Sequence, residues 1–372
     1  MRLTPILPLA LLPALIGCGG HGSQAVPLTP AAYAAIGEKP GVEREALARA
    51  VDALFTDKAM GETRAVVVMH EGRIVAERYA DGYGAKTPQI GWSMSKSVTA
   101  VVIGMLVSDG QLRLDQPAPV PAWQRPGDPR GEITLRMLLQ MRSGLRHVEA
   151  GSPPWRSDEV RMLFLDGRDD MAAYAESQPL AAEPGTRFQY STDTSVILAD
   201  LAARVLAPGG DAETRRRLVG DYARTRLFEP LGAKSFTPEF DAAGTMVGGS
   251  TIWAAARDWA KFGEFLRNRG AVKGIQLVPR AWIDFMTTPS PAQAEYGAQV
   301  WLNRARTGSG EPALFPGRGP ADLFACLGHL GQYVLVSPSR HLVVVRLGNT
   351  PESALHPVTE RLGDLVALYG KD

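Results

Sequence analysis

Residues 91–100 read GWSMSKSVTA, a serine and a lysine three positions apart at the head of an apolar run. From Lys96 to Val107 nearly every position is apolar, which predicts a helix buried on all faces and closed by Gly110. A lysine at the start of such a helix is costly unless it has a use. Ser93 is the only serine in the chain with a lysine three residues on, and at i and i+3 the two side chains share a helix face. A serine hydroxyl is a weak nucleophile that needs a base within reach. A lysine near its ordinary pKa of about 10.4 is protonated at neutral pH. Burial against Val98, Val101 and Val102, or a second cation, would lower that value. The helix start would also favour a developing oxyanion. The same spacing suits an ordinary serine N-cap, so the rest of the chain has to decide.

Working outward, RAVVVMHEGRIVAERYADGY from Arg64 predicts a β-hairpin, two β-branched runs around the turn 70–73. Before it, Leu47, Val51, Leu54 and Phe55 fall on one helical face. Helices are expected in EITLRMLLQMRSGL, capped by Thr134, and in TDTSVILADLAARVL, RDWAKFGEFLRNRG and PRAWIDFMT. QYVLVSP and RHLVVVRLGN read as strands, followed by the amphipathic helix SALHPVTERLGDLVALYG. Strands at both ends with helices between them predict an α/β fold: one antiparallel sheet completed by both termini, flanked by helices, with an inserted all-α lobe. The expected units are 41–117 with 245–372 for the α/β domain and 118–244 for the helical lobe. A ligand site is expected where the two meet.

The N-terminus reads differently. MRLTPILPLALLPALIGCGG has one Arg, an apolar stretch and small residues at Cys18, the pattern of an export signal. LIGC resembles a bacterial lipoprotein box. The expectation is a signal peptide over 1–17, lipidation of Cys18, a Gly/Ala/Pro-rich tether over 18–40, and a membrane-anchored lipoprotein facing the periplasm. With Gly19 next to it, the outer membrane is favoured. Beyond this segment no apolar run is long enough to cross a bilayer. Cys326 is then the one remaining cysteine, so no internal disulfide and no cysteine-rich zinc site is expected. A formal net charge of +1, with 45% hydrophobic and 21% charged residues, gives no basic surface for nucleic acid.

Two other segments could complete a site. In PGTRFQYSTDTS, Tyr190 sits between a Pro-Gly turn and a helix; in LGHLGQYVLVS, His329-Leu330-Gly331 leads into a strand. Gly331 would allow a ligand close to the backbone, and Gln332 could point at it. GWSMS is not a Gly-x-Ser-x-Gly elbow, since its last residue is Ser95 and no strand runs directly into Ser93. The six histidines form no His-Glu-x-x-His pair. Met246, Tyr296 and Trp301 are candidate lining residues, and His147 is read as an exposed loop histidine.

Taken in order, Ser93-Met94-Ser95-Lys96, Tyr190-Ser191-Thr192 and His329-Leu330-Gly331 resemble the Ser-x-x-Lys, Tyr-x-Asn and Lys/His-x-Gly motifs of the serine β-lactamase and penicillin-binding superfamily, in its class C-like branch. ITLRMLLQMRSGL, EPGTRFQYS and GGSTIWAAARDWAKFG are similar to it as well. SMSKS, RMLFLDGRDDMAAYA and GHLGQY look most like 6-aminohexanoate-dimer hydrolase and its relatives. The resemblance implies a cofactor-free, metal-free serine hydrolase with an acyl-enzyme on Ser93. Lys96 and Tyr190 would handle protons, and the amides of Ser93 and Gln332 would hold the oxyanion. Thr192 stands where the family has Asn, and His329 where lactamases have Lys, so a fixed charge for a substrate carboxylate is missing. The expected substrate is a small linear amide or short ester. A D,D-peptidase or β-lactamase-like enzyme, or a non-catalytic binder of peptidoglycan peptides, is the alternative. No partner protein is implied.

Overall fold

The computed structural model describes residues 27–370; the segment read as a signal peptide and Cys18 lie outside them. β1 (Glu62–His70) and β2 (Arg73–Tyr79) form the expected hairpin. Its two-residue turn is Glu71 at φ 50° and Gly72 at φ 76°, the left-handed pair whose twist matches the strands. The C-terminal part supplies β3 (Trp301–Leu302), β4 (Phe324–Gly328), β5 (Gln332–Ser337) and β6 (Leu342–Asn349). The antiparallel sheet runs β2-β1-β6-β5-β4-β3, so strands from both ends of the chain meet at the β1–β6 pair, where Val67 faces Val345.

Both faces of this sheet are covered, which is why its strands read as continuous apolar runs rather than alternating ones. Val66 and Val68 of β1, Leu335 of β5 and Val344 of β6 point into one core layer. That layer is closed by α1 (Arg44–Thr56), through Leu47, Val51 and Leu54. The C-terminal helix Leu355–Leu368 joins it through Val358, Leu362 and Leu365. Val67, Val334 and Val345 point into the other layer. It contains α2 (Ser95–Ser108), α3 (Thr192–Leu206) and α4 (Ala256–Arg267), the last through Trp259, Phe262 and Phe265.

The helix starts follow their caps. Thr134 accepts from Met137 N at 3.2 Å to open Leu135–Leu139. Ser191 accepts from Thr194 N at 3.1 Å to open α3. Each such cap contributes about 1 kcal/mol. α2 is buried from Ser95 to Leu106, as an apolar helix must be. Part of the expected tether is folded: Thr29 caps a short helix Pro30–Ala34, and the chain then runs beside β2, with Gly37 N donating to Val75 O at 2.8 Å. A small second sheet brings Gln89–Ile90, Ile252–Ala254 and Thr237–Pro238 together. Its first strand ends just before Gly91, and Gly91 N donates to Ile252 O at 2.9 Å. Among the described residues no helix is long and apolar enough to cross a membrane.

Candidate active site

Ser93 sits in a 3₁₀ turn, Trp92–Met94, between that small strand and α2. Trp92 adopts φ 47°, an uncommon conformation for a bulky residue. It is held by its surroundings, and its ring meets His329 edge-on at 5.5 Å. Such locally strained backbone concentrates at functional sites. One turn on, Lys96 is buried and its Nζ donates to Ser93 Oγ at 2.9 Å, Thr192 Oγ1 at 2.8 Å and Gly249 O at 2.8 Å. It also lies 4.9 Å from the Tyr190 ring centre. Tyr190 stands just before α3, with its ring against Trp301 (5.4 Å) and Tyr296 (5.8 Å). Its hydroxyl faces Ser93 and Lys96. Burial is the strongest influence on that phenol and, with the Glu149 charge, leaves its pKa raised although Lys96 and Ser93 pull it down.

These residues open onto a cleft of about 520 Å³. Trp92, Ser93, Tyr190, Trp301, Gly328 and His329 form one side; Pro154, Val160, Leu163 and Phe164 form an apolar wall; Glu149, Glu159 and Glu352 are its acidic residues. Among the described residues no lysine or arginine lines it. Met246 is buried away from the cleft, and Tyr296 lies behind Tyr190 and Trp301, fully covered.

Three expectations are corrected here. Gln332 is not on the cleft wall. It is 2% exposed, and its side-chain amide donates to His329 O and Gly348 O and accepts from Gly348 N. The backbone that reaches the cleft is Gly328–His329, at the end of β4. Gly331 does not make room for a ligand: a Cβ there would lie 2.6 Å from the Arg346 guanidinium. That fully buried cation donates to Gly331 O at 2.8 Å, Met60 O at 3.0 Å and Thr350 Oγ1 at 2.7 Å, tying the 329–331 turn to β1 and β6. His147 is not exposed but 7% exposed, between two carboxylates.

His147 belongs to a charged network that the sequence did not reveal. Glu149 Oε1 accepts from Thr192 Oγ1 at 2.6 Å and Glu149 Oε2 from Thr192 N at 2.8 Å. The same carboxylate pairs with His147 Nε2, whose Nδ1 lies 3.2 Å from Asp193 Oδ2. That second contact is electrostatic, since its geometry is not that of a hydrogen bond. Ser157 and Asp158 anchor the loop to the helix Asp158–Phe164: Val148 N donates to Asp158 Oδ2 at 2.8 Å, and Ser157 accepts from Val160 N at 3.1 Å. This puts Glu159 beside Glu149, 3.3 Å from Thr192 Oγ1.

The charges set one another. Burial alone would raise the Glu149 carboxyl, but His147, Lys96 and Thr192 hold it at about 2. Burial and then the Glu149 charge push Glu159 up to about 7. Burial opposes the His147 charge, yet Asp193 and Glu149 raise its pKa to about 10. Burial likewise lowers Lys96, as the sequence led one to expect, but Tyr190, Glu149 and Glu159 outweigh it and hold its pKa above the ordinary lysine value. The resting lysine is therefore an ammonium ion.

Gly328 fixes how close β4 comes to the nucleophile turn. A Cβ there would lie 2.3 Å from Gly91 O and 2.9 Å from Gln332 Cβ, so any side chain must push the strand end away from Ser93. Gly328→Ala is expected to lower kcat/KM on the order of 10²-fold, the effect of about 1 Å of misplacement at a reacting centre. Steady-state kinetics together with a melting curve would check this, and wild-type kcat/KM would show that the approach is not needed.

An antiparallel sheet completed by strands from both ends of the chain, helices on both its faces, and a serine–lysine–tyrosine cluster in a cleft define a β-lactamase-type serine hydrolase. The chain belongs to the beta-lactamase family, whose model matches residues 51–368. It is 23% identical over 347 residues to 6-aminohexanoate-dimer hydrolase of Paenarthrobacter ureafaciens, covering 89% of this chain and 82% of that protein. The fold is similar to that of a family VIII carboxylesterase (TM-score 0.64, 18% identity, 87% of this chain and 96% of that one). It is also similar to a penicillin-binding protein homologue from Caulobacter crescentus (TM-score 0.62, 19% identity, 90% and 97%).

Proposed function

We propose that this hydrolase acts on uncharged short esters and linear amides through an acyl-enzyme on Ser93. The observation that carries the reading is the cleft itself: a serine hydroxyl 2.9 Å from a buried lysine nitrogen, in a cavity with an apolar wall and, among the described residues, no lysine or arginine to receive a substrate carboxylate. Lys96 first releases its ammonium proton to solvent; Ser93 Oγ then attacks the carbonyl carbon as its own proton passes to the Lys96 amine. The oxyanion is met by backbone N–H groups of the Ser93 turn and of the Gly328–His329 strand end. Tyr190 returns a proton to the leaving alcohol or amine. Water, losing its proton to the same pair, then cleaves the acyl-enzyme. The name of the Paenarthrobacter relative, a hydrolase of a linear amide dimer, and the carboxylesterase of the same fold support this substrate range.

The test combines labelling with a comparison of substrate charge. Incubation with a fluorophosphonate should add one adduct, on Ser93. Hydrolysis of p-nitrophenyl butyrate should exceed that of the p-nitrophenyl monoester of succinate by at least about tenfold in kcat/KM, because the acidic groups lining the cleft disfavour an anionic acyl chain. A faster reaction with the succinate ester, or efficient opening of a β-lactam, would overturn the assignment in favour of carboxylate recognition.

A further inference from the structure

Lys96 Nζ has four tetrahedral positions, one taken by its own Cε. Of its three hydrogen-bond partners, Gly249 O can only accept. Thr192 Oγ1 could in principle donate or accept, since a hydroxyl does both. Its single proton, however, is claimed on its other side by carboxylates, closely by Glu149 and at 3.3 Å by Glu159 Oε1. Glu149 Oε1 lies 2.6 Å away, and the same carboxylate takes Thr192 N at 2.8 Å and pairs with His147. A carboxylate that receives a backbone N–H and a histidine is an acceptor. The start of α3, a helix of 15 residues, favours its negative charge. Thr192 is therefore left with lone pairs alone for Lys96. Two of the lysine's N–H groups are thereby committed, and the one remaining direction is the 2.9 Å line to Ser93 Oγ, flanked by Tyr190.

We infer that Glu149 is a positioning residue: by holding the Thr192 proton it makes the Lys96–Thr192 bond one-way and aims the exchangeable position of Lys96 at Ser93. In the ammonium form that position is an N–H donated to Ser93 Oγ. In the amine form it is the lone pair that accepts the Ser93 proton, while the bonds to Gly249 and Thr192 stay in place. Proton acceptance then needs no rearrangement of the network, the condition under which preorganised groups contribute most to rate. Without the Glu149 charge, the Thr192 hydroxyl keeps only the longer contact to Glu159 Oε1 at 3.3 Å, so it is held less firmly against turning its proton to the same lone pair, in competition with Ser93. The inference rests on Ser93 being the nucleophile and Lys96 its proton acceptor, and it adds residues that the three motifs do not contain.

The experiment is a double-mutant cycle on the full chain with p-nitrophenyl butyrate as substrate, with fluorophosphonate labelling and a melting curve for every variant. Glu149→Gln keeps the shape and loses the charge; Thr192→Val loses the hydroxyl; Thr192→Ser keeps it. Glu149→Gln and Thr192→Val should each lower kcat roughly 10- to 100-fold, the cost of a lost hydrogen bond in a charged network, with KM within about threefold. Thr192→Ser should stay within about threefold of wild type in both constants. Compared on the plateau of each variant's pH–rate profile, where the direct pull of the Glu149 charge on the Lys96 pKa no longer counts, the double variant Glu149→Gln/Thr192→Val should be no more than about threefold slower than Thr192→Val alone, because Glu149 then acts through the hydroxyl that is already gone. If the two losses multiply instead, or if Thr192→Ser is as slow as Thr192→Val, Glu149 does not work through Thr192 and the inference falls while the function stands. If wild type takes no adduct on Ser93, the underlying function fails, and the inference with it.

Discussion

Ser93→Ala is expected to lower kcat on the order of 10⁶-fold, the scale on which a serine hydrolase loses its nucleophile, while the folded protein changes little. The two halves of that expectation rest on different observations. Rate depends on Ser93 because, in the proposed reaction, its hydroxyl is the attacking group, 2.9 Å from the buried lysine and open to the cleft, and a group that forms the covalent intermediate has no substitute. Stability does not depend on it in the same way. Ser93 is only partly buried, and it lies in a turn whose backbone is held from both sides, by Gly91 N on Ile252 O and by Ser95 Oγ accepting from Ile252 N at 3.0 Å. Losing one hydroxyl there costs about 1 kcal/mol, a shift of a few degrees in melting temperature. Kinetics and calorimetry on one preparation would check both. A residual rate within about 10²-fold of wild type would mean that another group performs the attack, and a collapse of the melting transition would make Ser93 a structural residue.

The elements that carry local signals were legible from the residues alone. β1 and β2 announce themselves by β-branched runs around a Glu-Gly turn, and α3 by its apolar positions; the helix Thr192–Leu206 coincides with the stretch read as helical. The nucleophile helix was legible because a lysine in an otherwise apolar segment is anomalous. The network behind it was not. Glu149 meets Thr192 across 43 residues of sequence, and Thr192 meets Lys96 across 96. His147 and Glu149 lie in a loop rich in Gly, Pro and Arg, and Glu159 in the first turn of the short helix after it, places where charged residues are usually solvated. The only trace in the sequence is the alternation His147-Val148-Glu149, which places two ionisable side chains on one side of an extended segment. Gln332 was misjudged for a related reason. Whether a strand-end amide faces a cleft or the sheet interior depends on the register of β4 against β5, where Gln332 pairs with Gly328, and register is a property of the pairing rather than of one strand.

Lys96→Met should cut kcat about 10⁴-fold, the upper range for a proton-transfer group, and it should also change how stability depends on pH. Combined with Ser93→Ala it should cost almost nothing further, because nucleophile and proton acceptor act as one unit. For stability, two effects oppose one another. Removing a buried ammonium ion relieves its desolvation, but Gly249 O loses its donor, and Glu149 and Glu159 lose the cation that offsets their mutual repulsion. The sign for Glu159 follows from linkage. Its folded pKa of about 7 lies above the ordinary value of 4.5, so between those limits the unfolded chain has released a proton that the folded chain still holds. Stability therefore falls as pH rises through that window. Lys96 lowers the Glu159 pKa; without it the carboxyl moves up further, and the window in which stability declines extends above pH 7. The melting temperature of Lys96→Met, compared with wild type from pH 5 to pH 9, should therefore fall further behind as pH increases. A difference that stays constant over that range would show that Lys96 does not share charge with Glu159, and the pair would then act on the reaction without setting the titration of the cleft.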